Sequence, residues 1–338
     1  MNHSKSETLG RVGVLGAGAW GTALAQVARG AGREVTIWAF EPDLVEAINR
    51  DHANPLYLPG VPLHPALSAT GDLSALASCD VILAAVPAQH LRGTLRKLKP
   101  LIADATPIVL CAKGIEQGSL ALMSEVLAAE APTQAAAVLS GPGFAGDVAR
   151  LKPTATTIAC ADASLGAALV ATLGVPTFRP YLSDDLVGAQ IGGAIKNVIA
   201  IACGIADGRK LGEGARAALI TRGFAEMTRL GLAMGAKAET LNGLCGLGDL
   251  VLTCVSRTSR NMSFGAELGE GKPAAEILAG RRSVAEGVTS APAVTALARK
   301  HGVEMPICEA VDAVLLGRAS VDEAILALLS RPFRAEGR

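Results

Sequence analysis

The longest hydrophobic pattern in the chain covers residues 187–206, VGAQIGGAIKNVIAIACGIA. Apolar residues recur there at helical spacing and small residues fill most of the remaining surface, which predicts a buried helix. The segment is long enough to span a bilayer, but a lysine at mid-membrane costs about 2.5–3.5 kcal/mol, which disfavours that reading for Lys196. We therefore predict a core helix whose lysine has a lowered pKa. A lysine that extends its ammonium group to solvent is the alternative.

A second hydrophobic pattern lies near the start of the chain. The apolar run at 11–15 leads directly into GAGAWG at 16–21, and helical spacing continues to residue 29. In this strand, turn and helix, Gly16 permits the tight turn, Gly18 lets a pyrophosphate approach the backbone, and Gly21 allows close helix packing. The run EVTIW at 34–38 supplies the next strand. We predict a dinucleotide-binding turn, with a purely structural glycine turn as the alternative.

The turn after that second strand bears on the choice of cofactor. It reads Ala39-Phe40-Glu41-Pro42 and contains no Arg or Lys. An acidic residue near this point commonly binds the ribose hydroxyls, whereas a 2′-phosphate requires a cation. NAD is therefore slightly favoured over NADP, although Glu41 stands a residue or two beyond the usual position. Phe40 is expected either to flank the adenine or to belong to the core.

Further buried strands are predicted at 80–86, 107–112 and 135–139, and strands at 154–161 and 175–181 are expected to extend the sheet at an antiparallel edge. Ligands of open parallel sheets bind at the carboxyl ends of the strands. Lys113 and the turn Ser140-Gly141-Pro142-Gly143-Phe144-Ala145 follow two such ends. We expect both to face a ligand. A solvated loop lysine and an ordinary turn are the alternatives.

From residue 183 onward the alternation of strands and helices stops and the pattern is helical. We place a domain boundary there, with a Rossmann domain at 1–182 and an all-helical domain at 183–338 enclosing a cleft. The helical patterns cover 187–206, 214–234, 249–254, 261–268, 288–301, 305–316 and 321–329.

Two short segments of the helical half carry candidate chemistry. Asp249 follows Gly246-Leu247-Gly248, and Ser259-Arg260-Asn261 places a capping serine before an arginine and an asparagine in the first helical turn. A guanidinium at a helix N-terminus suits a shared anion, because free N–H groups point the same way. The alternatives are a solvated Arg260 and an Asp249 that caps its own turn.

Composition excludes several classes of function. The 31 basic and 31 acidic residues balance and the basic ones are scattered, which argues against nucleic-acid binding. The first ten residues are polar, so no secretory signal is expected. The seven cysteines have no CxxC spacing, which predicts core thiols in a reducing cytoplasm and no metal site.

Several motifs in order resemble one family. GAGAWG, SGPGFA, GAIKNVIAIACGIADG, LITRGFAEM, GLGDLVLTC, SRN and GVEMPI are similar to those of NAD(P)-dependent glycerol-3-phosphate dehydrogenase of the bacterial type, from about residue 11 to 330. The resemblance implies a Rossmann domain followed by an all-α domain of the 6-phosphogluconate-dehydrogenase C-terminal type. It also implies reversible reduction of dihydroxyacetone phosphate to sn-glycerol 3-phosphate with NADH or NADPH for phospholipid synthesis, and a homodimer.

The resemblance also implies roles for individual residues. Lys196 matches the proton-transferring lysine. Substrate contacts are expected at Lys113, Gly141, Gly143, Lys196, Asp249, Ser259, Arg260 and Asn261. Cofactor contacts are expected at Gly16, Gly18, Ala19, Trp20, Gly21, Phe40, Lys113, Ala145, Arg260, Val284 and Glu286.

Two positions depart from the bacterial pattern. Many bacterial members have His or Arg at the place of Phe40, and most have Ser or Thr at the place of Gly143. The first departure favours NAD, and the second removes a hydroxyl contact. Two other functions remain open at this point: a related dehydrogenase acting on another phosphorylated or carboxylated hydroxy compound, and a dinucleotide sensor without catalysis. The SRN segment argues against the first, and the joint presence of Lys196, Asp249 and Arg260 argues against the second.

Overall fold

One eight-stranded sheet organises the first half of the chain. A computed structural model describes residues 8–281 and 285–333. The strands are β1 (Arg11–Leu15), β2 (Glu34–Trp38), β3 (Ser68–Thr70), β4 (Val81–Ala84), β5 (Ile108–Leu110), β6 (Ala136–Ser140), β7 (Thr154–Cys160) and β8 (Phe178–Ser183). Their order across the sheet is β3-β2-β1-β4-β5-β6-β7-β8.

The first six strands are parallel, whereas β7 pairs with β6 in the antiparallel direction and β8 runs parallel to β7. The expected antiparallel extension of the sheet is therefore confirmed. The hydrophobic pattern did not predict β3, because its three residues, Ser-Ala-Thr, are too short and too polar to stand out.

Helices cover both faces of this sheet. They are α1 (Ala19–Gly30), α2 (Pro42–Asp51), α3 (Ala88–Leu98), α4 (Met123–Glu130), α5 (Ala145–Ala149) and α6 (Ala163–Leu173). Along β4, Leu83 packs in the same core cluster as Leu24 of α1, whereas its neighbour Ile82 packs with Leu91 of α3. Successive strand residues point to opposite faces, so the two clusters lie on opposite sides. This is the predicted doubly wound arrangement.

The second half, after β8, consists of helices and the turns that connect them, and its described residues contain no strand. Its helices are α7 (Leu186–Gly208), α8 (Glu213–Ala233), α9 (Ala238–Asn242), α10 (Asp249–Val255), α11 (Arg260–Gly269), α12 (Ala274–Ala279), α13 (Glu286–Lys300), α14 (Pro306–Leu315) and α15 (Val321–Leu329). A five-residue π-helical turn, Leu244–Gly248, precedes α10. Strand β8 ends at Ser183 and α7 begins at Leu186, and the boundary at residue 182 stays a prediction.

Helices α7 and α11 lie side by side in the same direction with their backbones in contact. A Cβ atom on Gly204 would lie 2.1 Å from the Met262 carbonyl oxygen, and one on Gly265 would lie 2.1 Å from the Ile201 carbonyl oxygen. Only glycine permits such an approach, because any larger residue would force the helices apart. The contact brings the first turn of α11 level with Lys196 on α7.

Helix α7 is a buried core helix, as its pattern predicted. Among the described helices it alone is long and apolar enough to cross a membrane, but 89% of its most apolar 18-residue window is buried inside the protein. All seven cysteines are likewise buried, with free thiols.

Candidate active site

One buried carboxylate joins the two halves of the molecule. Asp249, the first residue of α10, is 1% exposed. Its Oδ1 accepts a hydrogen bond from Lys196 Nζ at 2.6 Å and its Oδ2 accepts one from Lys113 Nζ at 2.7 Å. Lys113 follows β5 in the sheet domain and also donates to the Gly141 carbonyl oxygen at 3.0 Å. The three charged groups therefore form a Lys196–Asp249–Lys113 cluster with one excess positive charge.

This arrangement overturns two alternatives from the sequence. Lys196 is only 7% exposed, so its ammonium does not extend to solvent. Asp249 binds both lysines and does not cap its own turn.

The environment of the cluster shifts two pKa values. Burial lowers the pKa of Lys196 to about 8, with a further contribution from the positive charge of Lys113, while Asp249 partly opposes both. Burial alone would raise the pKa of Asp249, but the two ammonium groups outweigh it and hold the pKa below its ordinary value. At neutral pH Lys196 is thus a charged acid that can release a proton within the physiological range.

The glycine turn has the geometry that a dinucleotide requires. Gly16 has a φ of 113°, a left-handed conformation that favours glycine. A Cβ atom on Gly21 would lie 2.0 Å from the Gly16 carbonyl oxygen, whereas one on Gly18 would meet no atom within 4 Å. The first and third glycines thus serve the fold, and the second leaves open space above the N-terminus of α1. These residues fit a pyrophosphate group.

Trp20 connects this turn to the charged cluster. It stands beside Ala19, the first residue of α1, and its indole ring lies 5.5 Å from Lys113 Nζ. Its Nε1–H is buried and makes no hydrogen bond within the described part of the chain. A buried donor without a partner is unusual in a protein, and a bound ligand would supply one.

The turn after β6 packs against strand β7 and against helices α1 and α5. A Cβ atom on Gly141 would lie 2.8 Å from Thr156 Cα, so only glycine fits there. A Cβ atom on Gly143 would lie 3.2 Å from Val148 and 3.6 Å from Trp20. A serine at position 143 would be tight in this packing, and its neighbours would have to shift slightly to admit it. Ala145 begins the short helix α5.

The first turn of α11 holds the SRN segment beside Lys196. The hydroxyl of Ser259 caps the helix by accepting from Met262 N at 3.3 Å. Arg260 is exposed, and its guanidinium makes no hydrogen bond among residues 8–281 and 285–333. Asn261 is buried, donates to Asn197 Oδ1 at 2.9 Å and accepts from Gly287 N at 2.9 Å. The amide of Asn261 thus connects α7, α11 and α13 and keeps one N–H available.

Glu286, at the start of α13, belongs to the same region. Burial raises the pKa of its carboxyl, while the charges of Arg260, Lys196 and Lys113 oppose the shift. The carboxyl therefore lies within electrostatic range of all three cations. Val284, which was also expected to contact the cofactor, lies outside the described residues.

Phe40 belongs to the surface rather than the core. Its side chain is 78% exposed and stands after β2, next to the glycine turn, where Gly16 N donates to the Trp38 carbonyl oxygen at 3.0 Å. The core alternative for Phe40 is wrong. Glu41 ends the turn as the residue that precedes α2, and its Oε1 accepts from the Tyr57 hydroxyl at 2.7 Å.

Sequence reasoning missed two residues that hydrogen-bond to the Lys196–Asp249–Lys113 cluster. Thr253 accepts from Lys196 Nζ at 3.0 Å and donates to the Asp249 carbonyl oxygen at 2.6 Å. Its place one helical turn after Asp249 was a usable signal, because residues i and i+4 share a helix face. Asn197 donates weakly to the Lys113 carbonyl oxygen at 3.4 Å and receives the bond from Asn261. Its partners are distant in sequence, so only the fold reveals its position.

No group of His, Cys, Asp and Glu residues within the described ranges could hold a metal ion. A glycine turn at the end of β1, a second domain that contributes a buried lysine, and a carboxylate between the two define a dinucleotide-dependent dehydrogenase of two domains.

Comparison with known proteins identifies the family. The profile for the NAD-dependent glycerol-3-phosphate dehydrogenase N-terminus matches residues 11–166, and that for the C-terminus matches residues 185–326. The chain belongs to the glycerol-3-phosphate dehydrogenase family.

Individual relatives support the same assignment over nearly the full length of the chain. The chain is 61% identical to a glycerol-3-phosphate dehydrogenase [NAD(P)+] of Parvibaculum lavamentivorans over 96% of this chain and 98% of the relative. It is 62% identical to one of Maricaulis maris, again over 96% and 98%. A crystal structure of glycerol-3-phosphate dehydrogenase from Coxiella burnetii superposes with a TM-score of 0.92 at 42% identity, covering 96% of this chain and 99% of the other.

Proposed function

We propose that this glycerol-3-phosphate dehydrogenase carries out its reaction at the Lys196–Asp249–Lys113 cluster. The reaction is the reversible reduction of dihydroxyacetone phosphate to sn-glycerol 3-phosphate with NADH or NADPH, which supplies glycerophospholipid synthesis. The observation that carries the assignment of the site is the buried Asp249 carboxylate, which holds two lysines from different domains. One of them, Lys113, contacts the ring of Trp20 in the dinucleotide turn. The comparisons offer no support for another substrate or for a non-catalytic sensor.

Lys196 is the general acid in this proposal. When bound, the reduced nicotinamide supplies a hydride to C2 of the substrate. The C2 oxygen then needs a proton, and the Lys196 ammonium with a pKa of about 8 can give one at neutral pH. In the oxidative direction the neutral amine takes the proton back. Asp249 holds the ammonium in place, and Thr253 fixes a second of its N–H groups.

Lys113 has an electrostatic role. Its ammonium donates to Asp249 Oδ2 and lies over the Trp20 ring. The excess positive charge of the cluster stabilises an oxygen that becomes negative as hydride arrives. Lys113 also donates to the Gly141 carbonyl oxygen, so the turn that contains Gly141 and Gly143 lies beside the ammonium group.

Arg260 and the N-terminus of α11 are proposed to bind the substrate phosphate. The guanidinium is exposed, and the first turn of a helix presents free N–H groups to an anion. Ser259 caps one of these groups, and Asn261 keeps one N–H that could donate to the phosphate.

The cofactor is proposed to lie over the glycine turn. Gly16, Gly18, Ala19 and Gly21 would hold the pyrophosphate, and Trp20, Ala145 and Glu286 would contact the rest of the dinucleotide. NAD is slightly favoured, because Phe40 and Glu41 offer the adenosine ribose an apolar ring and a carboxylate in place of a cation.

The direct test is an absorbance assay of cofactor oxidation with dihydroxyacetone phosphate, run in parallel with NADH and NADPH. We expect turnover with both cofactors and a modest preference for NADH. Turnover with neither would contradict the proposed function. A kcat/KM for NADPH more than tenfold above that for NADH would contradict only the cofactor preference.

The assembly is proposed to be a cytoplasmic homodimer. Leu211 before α8 and Val251 and Val255 on α10 are exposed apolar residues that a second copy could cover. Seven free thiols fit a reducing compartment. Light scattering on the eluting protein should give twice the mass of one chain, and a mass of one chain would contradict the dimer.

A further inference from the structure

A chain of hydrogen bonds connects the glycine turn to the carboxylate of Glu41. Asn54, which is 1% exposed, donates from Nδ2 to the Ala17 carbonyl oxygen at 2.8 Å and to Thr22 Oγ1 at 2.8 Å. Ala17 stands between the first two glycines of the turn. On its other side, Asn54 Oδ1 accepts from Tyr57 N at 2.9 Å. Three residues beyond Asn54, the Tyr57 hydroxyl donates to Glu41 Oε1 at 2.7 Å.

Glu41 stands where the adenosine ribose is expected. It follows β2, the strand beside β1, and lies a residue or two beyond the usual position of the acidic residue that binds the ribose hydroxyls. Its side chain is half-buried, and the bond from Tyr57 engages one carboxylate oxygen. The second oxygen accepts no hydrogen bond from the part of the chain that the structure describes, so a ribose hydroxyl can donate to it.

From this geometry we propose that Tyr57 and Asn54 are positioning residues that hold the Glu41 carboxylate in register with the glycine turn and thereby set the discrimination between NAD and NADP. The inference rests on the proposed function, because it assumes that the dinucleotide lies over this turn. Tyr57 and Asn54 themselves need not touch the cofactor. They act through Glu41 and Ala17.

The physical basis is preorganisation. An unrestrained glutamate next to solvent can turn its carboxylate away from a bound ribose, and ordering it on binding costs side-chain entropy. Once held, the carboxylate accepts from a 2′-hydroxyl and repels a 2′-phosphate, which carries nearly two negative charges. The hydrogen bond to Glu41 raises the pKa of Tyr57 to about 12, so the hydroxyl keeps its proton and remains a donor throughout the neutral range.

The test compares Tyr57→Phe with wild type in two measurements, fluorescence titration of NADH and NADPH binding and kcat/KM for each cofactor. The expected result is a roughly three- to tenfold weaker binding of NADH with little change for NADPH, less than the loss of a whole hydrogen bond to a charged group, because Glu41 itself remains. The effect should fall on KM for NADH rather than on kcat. Tyr181→Phe is the matched control, because Tyr181 is the chain's other tyrosine and is exposed on β8.

A double-mutant cycle separates positioning from a general structural effect. Glu41→Gln should reduce the preference for NADH by a similar factor, and Tyr57→Phe combined with Glu41→Gln should add nothing further. Tyr57→Phe keeps the aromatic ring and removes only the hydroxyl that donates to Glu41, and its melting temperature verifies that the variant folds.

Three results would overturn the proposal: equal weakening of NADH and NADPH binding, additive effects in the cycle, or a greater preference for NADH in Tyr57→Phe. The wild-type assay distinguishes these from a failure of the proposed function. If wild type does not reduce dihydroxyacetone phosphate, the function is wrong. If it does and the cofactor ratio is unchanged in Tyr57→Phe, only the positioning role is wrong.

Discussion

Lys196 Nζ lies 2.6 Å from Asp249 Oδ1, although the two residues come from separate helices and stand 53 positions apart in the chain. The pair is buried, and Lys113 occupies the other carboxylate oxygen. A carboxylate that holds two ammonium groups stabilises their charge while leaving a net positive site for an anionic substrate. Removing the Asp249 charge should lower the pKa of Lys196.

The pH dependence of catalysis should report this pair. Lys196 must be protonated to act as an acid, so kcat/KM for reduction should fall as the pH rises through about 8, and kcat/KM for oxidation should rise over the same range. Asp249→Asn removes the charge that favours the ammonium form, so it should move the fall to lower pH. Rate measurements from pH 6 to 10 in both directions check this, and a profile that is identical in Asp249→Asn would contradict it.

Arg260→Ala should act mainly through the substrate phosphate. A hydrogen bond to a charged group contributes about 1.5–3 kcal/mol, so kcat/KM for dihydroxyacetone phosphate should fall by roughly one to two orders of magnitude. Dihydroxyacetone, which lacks the phosphate, should be affected much less. Arg257→Ala, a nearby exposed arginine that pairs with Asp207, serves as the control. Equal losses of kcat/KM on both substrates would show that Arg260 does not bind the phosphate.

The backbone contact between α7 and α11 should tolerate no side chain. In Gly204→Ala the new Cβ would lie 2.1 Å from the Met262 carbonyl oxygen, so the helices must separate and displace the first turn of α11 from Lys196. We expect a loss of stability of about 1–3 kcal/mol together with a loss of activity. Gly93→Ala in α3 is the matched control, because its Cβ meets no atom within 4 Å and alanine is the better helix former. Thermal melting of both variants decides the matter, and equal melting temperatures would contradict the account.

Phe40→Arg should improve NADPH relative to NADH. Phe40 is exposed beside the turn that ends β2, and an arginine there would supply the cation that a 2′-phosphate needs. The ratio of kcat/KM for the two cofactors measures the change. A ratio that stays fixed would show that the adenosine ribose does not lie against position 40.

Much of the fold was predictable because its elements are strongly patterned. Strand β1, the glycine turn and α7 each carry a periodicity or spacing that few other structures produce. The pattern did not predict α2, because its hydrophobic positions Leu44 and Ile48 are few and a proline begins it. A proline at the first turn is compatible with a helix, so the signal at Pro42 was ambiguous.

The site was predictable residue by residue but not as a geometry. Lys196, Asp249 and Lys113 could each be recognised from their sequence contexts. Their convergence depends on long-range packing, such as the backbone contact that places α11 beside α7, and no local pattern encodes it. The hydrogen bond between Tyr57 and Glu41 is of the same kind, because neither residue alone indicates the other.

The measurement that tests the central claim most directly is kcat for Lys196→Met. Methionine keeps much of the volume of the lysine side chain but cannot exchange a proton, so the variant should fold, bind NADH with an affinity near that of wild type, and lose kcat by roughly 10²–10⁴-fold or more. Binding of NADH by fluorescence and the melting temperature verify that the loss is chemical. If Lys196→Met reduces dihydroxyacetone phosphate with a kcat near that of wild type, Lys196 is not the proton donor.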